Sequence, residues 1–156
     1  MKKLVMAFAS FVMIALTAHA QPYETGIGLR GGFSNGLTVK HFLNETDALE
    51  GILSTRWQGF NITGLYEVHN TPFAIEELSW YYGGGAHIGF WNGDHASWGD
   101  VNTSYTVIGI DGVLGLEYSF GDIPLCISLD WKPAMNLIGY TGFWGDGGAL
   151  AIRYTF

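Results

Sequence analysis

The sequence contains little cysteine, few charged residues and, beyond residue 20, no long apolar run. Because Cys126 is the single cysteine, no internal disulfide can form, which excludes a disulfide-stapled fold. Charged residues make up 13% of the chain, whereas they usually take about a quarter or more of a soluble protein's surface. No segment after residue 20 approaches the ~18 continuous apolar residues of a transmembrane helix. A closed β-barrel is the remaining way for such a chain to cross a membrane.

Positive charge is especially scarce outside the first residues. Two of the seven Lys and Arg residues, Lys2 and Lys3, stand at the start of the chain, and the others are set against fourteen Asp and Glu residues. A protein that remains this acidic after residue 20 lacks the basic surface that binds nucleic acid. We therefore expect no nucleic-acid partner.

Residues 1–20 have the features of a secretory signal peptide. Lys2 and Lys3 precede an apolar run from residue 4 to residue 16, and Ala18-His19-Ala20 provides a small-residue cleavage site. An uncleaved membrane anchor is the alternative, but the run is shorter than the ~20 residues that span a bilayer. The sequence predicts a cleaved signal peptide at 1–20 and a single domain at 21–156.

The remaining chain repeats alternating runs of about 8 to 12 residues, each followed by a turn signal, which is typical of antiparallel strands. Ser34-Asn35-Gly36 is predicted to form a hairpin turn, because Asn and Gly tolerate positive φ. Pro133 predicts a bulge or the exit of its strand from regular pairing, and residues 92–103 and 139–148 are predicted loops. The eight predicted strands cover approximately 24–33, 37–43, 48–57, 60–69, 78–91, 104–120, 125–138 and 149–156.

Each predicted strand has one face of large apolar side chains and one face of small and charged side chains. The interior of an eight-stranded barrel is only just wide enough for side chains, so the small and charged face fits inside. The strong bases and a matching set of acids share that face, as expected of buried ions that need partners. The predicted interior charge network is Arg30, Lys40, Glu50, Arg56, Glu67, Asp111, Glu117, Asp130, Lys132 and Arg153.

The last strand carries the most specific pattern, since Leu150, Ile152, Tyr154 and Phe156 fall on one of its faces. It resembles the carboxy-terminal insertion signal of Gram-negative outer-membrane barrels. The whole mature chain resembles the small eight-stranded barrels of the OmpA/OmpX type. That resemblance implies an outer-membrane location after export, surrounding outer-membrane lipid, and recognition of this strand by the outer-membrane assembly machinery. It also implies periplasmic termini and outward-facing segments at 34–36, 57–59, 92–103 and 139–148.

The residues suited to catalysis do not form a diagnostic motif. A hydrolase needs a nucleophile, a base and an orienting acid within hydrogen-bond reach. The available parts are His69, His87, Ser79, Ser128, Glu67 and Glu117. We interpret these histidines as members of the interior network and expect no catalytic residue, no enzyme activity and no cofactor.

The two longer outward segments hold the remaining candidates. Asp94, His95 and Asp100 offer oxygen ligands for calcium, but their spacing matches no loop motif, so we expect no metal site. Trp98 and Trp144 are candidate contacts for an external partner, although tryptophans in such segments also rest among lipid headgroups. The sequence identifies no external ligand or partner.

Taken with the resemblance, these patterns predict an all-β, eight-stranded, antiparallel, up-and-down transmembrane barrel. The function expected of it is structural or interactional, within the cell envelope, with a polar and largely plugged lumen. Three alternatives remain open: a narrow porin-like pore for small solutes, a lipid-modifying enzyme of the outer membrane, and a soluble periplasmic lipocalin-like binder.

Overall fold

A computed structural model of the chain describes residues 23–56, 59–71, 75–92, 104–139 and 141–156, without the side chains of Arg56, Asn92 and Ser104. The regular elements in these ranges are all β-strands. Within them, no helix is long and apolar enough to cross a membrane. The strands are β1 Thr25–Gly32, β2 Asn35–Phe42, β3 Asp47–Arg56, β4 Gly59–Asn70, β5 Leu78–Asn92, β6 Ser104–Ser119, β7 Leu125–Trp131, β8 Ala134–Ile138, β9 Gly142–Trp144 and β10 Gly148–Thr155.

The sheet closes on itself. Strands β1 to β6 pair in sequence order, β6 pairs with β7, β7 pairs with β10, and β10 pairs with β1, all antiparallel. The closing seam runs from the Gly26–Thr155 pair to the Gly32–Ala149 pair. The ring therefore has eight members, which confirms the predicted all-β, eight-stranded antiparallel barrel.

Strands β8 and β9 form a short hairpin that extends the sheet at the end of the barrel opposite Thr25 and Phe156. β8 pairs with β6 beyond the end of β7, with a register shift between Ile108 and Gly109. The break between β7 and β8 lies at Lys132-Pro133, and the Gly112 amide donates to the Pro133 carbonyl at 2.8 Å. The irregularity predicted at Pro133 is thus present.

Two predicted connections differ from the structure. The segment 139–148 is not all loop, because it contains β9, and its turn uses Gly139 at a φ of 91°. The first hairpin turns at residues 33–34, so Asn35 and Gly36 already belong to β2. The close approach of β3, and not the turn, requires glycine at position 36, because an added Cβ would lie 1.9 Å from the Leu53 carbonyl oxygen.

The two faces of the barrel have opposite chemistry, and their orientation is the predicted one. Large apolar side chains point outward on every strand; Leu29, for example, is 67% exposed and Leu150 is 47% exposed. Charged side chains point inward, and Lys40, Glu67, Glu117 and Arg153 are fully buried. The interior holds only small apolar clusters, such as that of Ile52, Leu65, Tyr81 and Val113. A charged core inside an apolar shell is the reverse of the usual soluble arrangement.

Candidate functional site

Arg153, on β10, lies at the centre of the interior. Its Nη2 contacts Glu50 Oε1 on β3, and its Nη1 donates to Ser128 Oγ at 2.8 Å. Nη1 also lies 3.4 Å from Glu117 Oε2, on β6. One guanidinium therefore connects strands from opposite sides of the barrel, and its planar set of five donors suits that task.

Lys40, on β2, forms a second centre beside the first. Its Nζ lies 2.8 Å from Glu67 Oε2 and 3.0 Å from Glu117 Oε2, and 4.0 Å from the centroid of the Tyr81 ring. Tyr23, which precedes β1, donates from its hydroxyl to Glu117 Oε1 at 2.7 Å. Because Glu117 is shared by Lys40 and Arg153, the two centres form one connected network.

A third group links β1 with β7. Both terminal nitrogens of Arg30 donate to the two carboxylate oxygens of Asp130, a bidentate arrangement. The Tyr81 hydroxyl donates to Asp130 Oδ2 at 3.0 Å. Tyr81 fits there because β6 carries Gly115 beneath it, where an added Cβ would lie 2.5 Å from Tyr81 Cζ.

A fourth group lies nearer the β8–β9 end. Lys132 Nζ is 2.5 Å from Asp111 Oδ1, and His87 Nδ1 hydrogen-bonds with Asp111 Oδ2 at 2.6 Å. The other ring nitrogen, Nε2, hydrogen-bonds with Asn136 Oδ1 at 3.0 Å. These contacts tie β5 and β6 to the break between β7 and β8.

The structure places nine of the ten residues of the predicted charge network inside the barrel, each with a partner of opposite charge. The tenth, Arg56, has its side chain outside the described part of the structure. Sequence reasoning did not single out Tyr23 and Tyr81. Strand alternation offered a signal for Tyr81, because it shares a face with Ser79 and Gly83.

Some of the residues suited to catalysis also meet. Ser79 Oγ lies 3.5 Å from His69 Nδ1, and His69 Nε2 lies 3.2 Å from Glu67 Oε2. The order of serine, histidine and carboxylate is that of a serine hydrolase triad, but the two ring nitrogens are exchanged, because a triad histidine faces its serine with Nε2 and its acid with Nδ1. Ser79 and His69 are each 1% exposed and Glu67 is fully buried, so a substrate would not reach the serine in this closed structure. Ser128 is instead held by Arg153.

Three of the four residues of the predicted insertion signal lie on the outer face of β10, between β1 and β7, and Phe156 directly follows that strand. Leu150, Ile152, Tyr154 and Phe156 are all exposed. Phe156 also exchanges backbone hydrogen bonds with Thr25, from Thr25 N to Phe156 O at 2.9 Å and from Phe156 N to Thr25 O at 2.8 Å. This strand therefore joins the closing seam and offers its apolar side outward.

The candidate residues of the two longer outward segments fall partly inside and partly outside the described structure. Trp98, Asp94, His95 and Asp100 lie outside the described residues. Trp144 lies on β9 and lines a cavity at the β8–β9 end of the barrel. Across the described ranges, no group of three or more His, Cys, Asp or Glu residues is placed to hold a metal ion.

That cavity, here called the mouth cavity, has a volume of about 70 Å³. It combines aromatic walls with neutral polar groups and two charged residues, Lys132 and Asp146. Among the residues that line it are Ser54, Asn61, His87, Trp91, Asn136 and Trp144. A small molecule that entered it would meet aromatic and polar side chains as well as the Lys132–Asp111 ion pair.

The geometry therefore offers two features with functional meaning: a closed interior network and a small cavity at one end. Comparisons with known proteins add no relative, since no family model and no curated protein matches this chain.

Proposed function

We propose that this chain is an integral outer-membrane β-barrel protein of a Gram-negative bacterium, with a closed polar lumen and a structural or interaction role in the cell envelope. One observation carries the proposal: the barrel turns its apolar side chains outward on every strand and keeps its ion pairs inside. In a lipid bilayer, such a barrel satisfies every backbone group within its own ring of strands.

The outer face is costly in water and favourable in lipid. Each Å² of apolar surface removed from water is worth about 25 cal/mol, and soluble monomers rarely expose apolar patches above a few hundred Å². The outward residues of β1 and β10 alone, such as Leu29 beside Ile152, form a continuous apolar strip across the seam. Lipid around the whole barrel would cover that strip.

The position of β10 supports the same proposal. The outward residues Leu150, Ile152 and Tyr154 of β10, followed by Phe156, offer the pattern that outer-membrane assembly machinery reads, and β10 lies at the seam with β1 that closes the ring. In the orientation that the resemblance implies, Tyr23 and Phe156 lie at the periplasmic end of the barrel, and the mouth cavity faces the external medium.

The narrow-pore alternative is weakened by the filled interior. Arg153, Lys40, Glu50, Glu67 and Glu117 are buried across the middle of the barrel and contact one another or shared partners. Removing water from these ions costs several kcal/mol each unless they are paired, so the pairs hold the lumen shut. We therefore propose a lumen without a continuous water path.

The other two alternatives also meet a physical objection. A lipocalin-like binder needs an apolar interior, whereas this interior is occupied by ion pairs. An enzyme built on Ser79, His69 and Glu67 would need a route to a serine that is 1% exposed. We accordingly propose a role without catalysis.

The test is heat-modifiability of the protein in isolated envelope fractions. The chain should be recovered in the outer-membrane fraction, and unboiled and boiled samples should migrate differently in gel electrophoresis because the folded barrel resists detergent. Recovery in the soluble periplasmic fraction without such a shift would refute the proposal.

A further inference from the structure

Two glycines make room for Trp91 inside the mouth cavity. An added Cβ at Gly59 would lie 2.1 Å from Trp91 Cδ1, and one at Gly89 would lie 2.0 Å from Trp91 Cζ3. The five-membered ring of the indole therefore lies against Gly59, on β4, and its six-membered ring lies against Gly89, on β5. These two contacts, here called the Trp91 seat, fix the orientation of the indole without a ligand. An aromatic face of fixed orientation is pre-organised for stacking.

His87 is seated in a similar way. An added Cβ at Gly109 would lie 2.5 Å from His87 Cε1. Its two nitrogens are held by Asp111 and Asn136, at 2.6 Å and 3.0 Å. The cavity is thus lined by rings whose orientation is set by glycines and hydrogen bonds.

Among the described side chains that line the cavity, one buried polar atom has no hydrogen-bond partner. Asn61 Oδ1 is buried and accepts no hydrogen bond from the described residues, while its Nδ2 lies 3.4 Å from Thr63 Oγ1. A Cβ at Gly89 would lie 3.1 Å from this same oxygen, which places it beside the edge of the Trp91 seat. Leaving such an acceptor unpaired is unfavourable, and a ligand hydroxyl would satisfy it.

The charged groups that line the cavity are Lys132 and Asp146. Lys132 is neutralised by Asp111 at 2.5 Å, and the other groups around Asn61 include the Ser54 hydroxyl and the Asn136 amide. Neutral donors and acceptors and the Asp146 carboxylate, which also accepts from hydroxyl groups, lie beside an aromatic face. This combination suits a ligand that has hydroxyl groups along its edge and C–H groups on its flat side. An anion would find no unpaired cation among these described side chains.

We propose that the mouth cavity binds one edge of a neutral sugar ring, with Trp91 against the C–H face of the ring and Asn61 Oδ1 accepting from a ring hydroxyl. A cavity of about 70 Å³ holds roughly two waters' share of liquid volume, so only an edge enters and the rest of the ring stays at the opening. The ligand is a free monosaccharide or the last sugar of a glycan. That the opening faces the external medium rests on the proposed function; the binding chemistry does not.

The experiment uses the whole mature chain, folded in a detergent without a sugar headgroup. The probes are D-glucose, D-galactose, D-mannose and N-acetyl-D-glucosamine, observed by saturation-transfer NMR of the sugar protons. We expect saturable binding of at least one of them in the millimolar range, typical of such small contacts. Trp91→Ala and Asn61→Ala should each weaken it about tenfold.

Trp80→Ala is the matched control, because Trp80 stacks with Tyr82 at 5.3 Å on the outer face, away from the cavity. It should leave sugar binding unchanged. Trp91→Phe keeps a ring in the seat and should retain part of the affinity, which separates a stacking role from loss of the fold. Every variant is first checked for heat-modifiability.

Binding of none of the four sugars would overturn the inference, as would equal binding by wild type and Asn61→Ala, or binding of inorganic phosphate in preference to the sugars. Tighter binding of an oligosaccharide that ends in the preferred sugar would assign the site to a glycan, and equal affinity would assign it to the free sugar. A heat-modifiable, membrane-bound barrel that binds no sugar would refute this inference alone and leave the proposed function standing.

Discussion

Arg153 and Glu50 lie 103 residues apart in the sequence and form an ion pair in the interior of the barrel. The pair spans the interior, since β10 and β3 are separated in the sheet by β1 and β2. Nη1 of the same guanidinium donates to Glu117 and Ser128, and Nε donates to Thr38. This contact therefore links the closure of the barrel to the neutralisation of its interior.

Removing Arg153 should destabilise the barrel strongly. Arg153→Met leaves Glu50 without its ion-pair partner and takes from Glu117 one of its two cations, and breaking a buried pair in this way costs about 3–5 kcal/mol. Urea titration of the folded protein in vesicles, followed by the heat-modifiable gel band, measures the change. The double variant with Glu50→Gln should recover part of the loss, and strict additivity of the two single effects would contradict the pairing.

Two adjacent tyrosines should respond differently to loss of the hydroxyl. Tyr81→Phe removes the donor to Asp130 inside the barrel, at an expected cost of about 1.5–3 kcal/mol because the acceptor is charged and buried. Tyr82→Phe changes an outward ring that is 43% exposed and should alter stability by less than about 0.5 kcal/mol. The same urea titration compares them, and equal effects would contradict the inward placement of Tyr81.

Glycines at two positions should differ in their tolerance of a methyl group. Gly115→Ala places a Cβ 2.5 Å from Tyr81 Cζ and 2.8 Å from Asp130 Cβ, so overpacking should cost about 1–3 kcal/mol. Gly64→Ala is the control, because no atom lies within 4 Å of its added Cβ. The yield of folded barrel and its urea midpoint should fall for the first variant alone.

A positive charge on the outer face should disturb membrane insertion according to its depth. Leu114→Arg, within β6, is expected to cost about 2–4 kcal/mol in a bilayer. Phe143→Arg, on the β8–β9 extension, should cost about 0–1 kcal/mol, as charges do near the membrane interface. Folding yield into lipid vesicles measures both, and equal tolerance would argue against a lipid-facing β6.

Because the interior is filled by side chains, we expect the barrel not to conduct ions. Reconstituted in planar bilayers, the protein should show no stable single-channel openings, because the Lys40 and Arg153 contacts occupy the middle of the lumen. Steady openings of uniform size in the wild-type protein would favour the narrow-pore alternative.

Alternation of side chains was enough to predict the strands, their inward faces and the identity of the charged residues there, because the period of a strand is two. Alternation could not predict which of these charged residues form ion pairs with one another. Lys40 meets Glu117 across the interior, and that meeting depends on the tilt and register of the closed sheet, which local patterns do not encode.

The errors have local causes. Asn35-Gly36 is a strong turn signal, but the hairpin turns two residues earlier, and the close approach of β3 accounts for Gly36. The mouth cavity was missed because its aromatic wall needs Gly59 and Gly89, which come from two different strands, to lie under one indole. Trp144 was noted as a contact residue, whereas Trp91 was not.

The ring of strands is continuous only when β1 pairs with β10. Before that seam forms, Arg153 has not yet reached Glu50, and β1 has a free edge. Of the pairings in the ring, that of β1 with β10 joins the segments most distant in the sequence, so the entropy of closing this long loop should slow the formation of the complete ring. The same arrangement should make unfolding slow, because the sheet must open at the same time as the buried ion pairs separate. Long persistence once folded follows from ring closure itself and does not require any single contact to be strong.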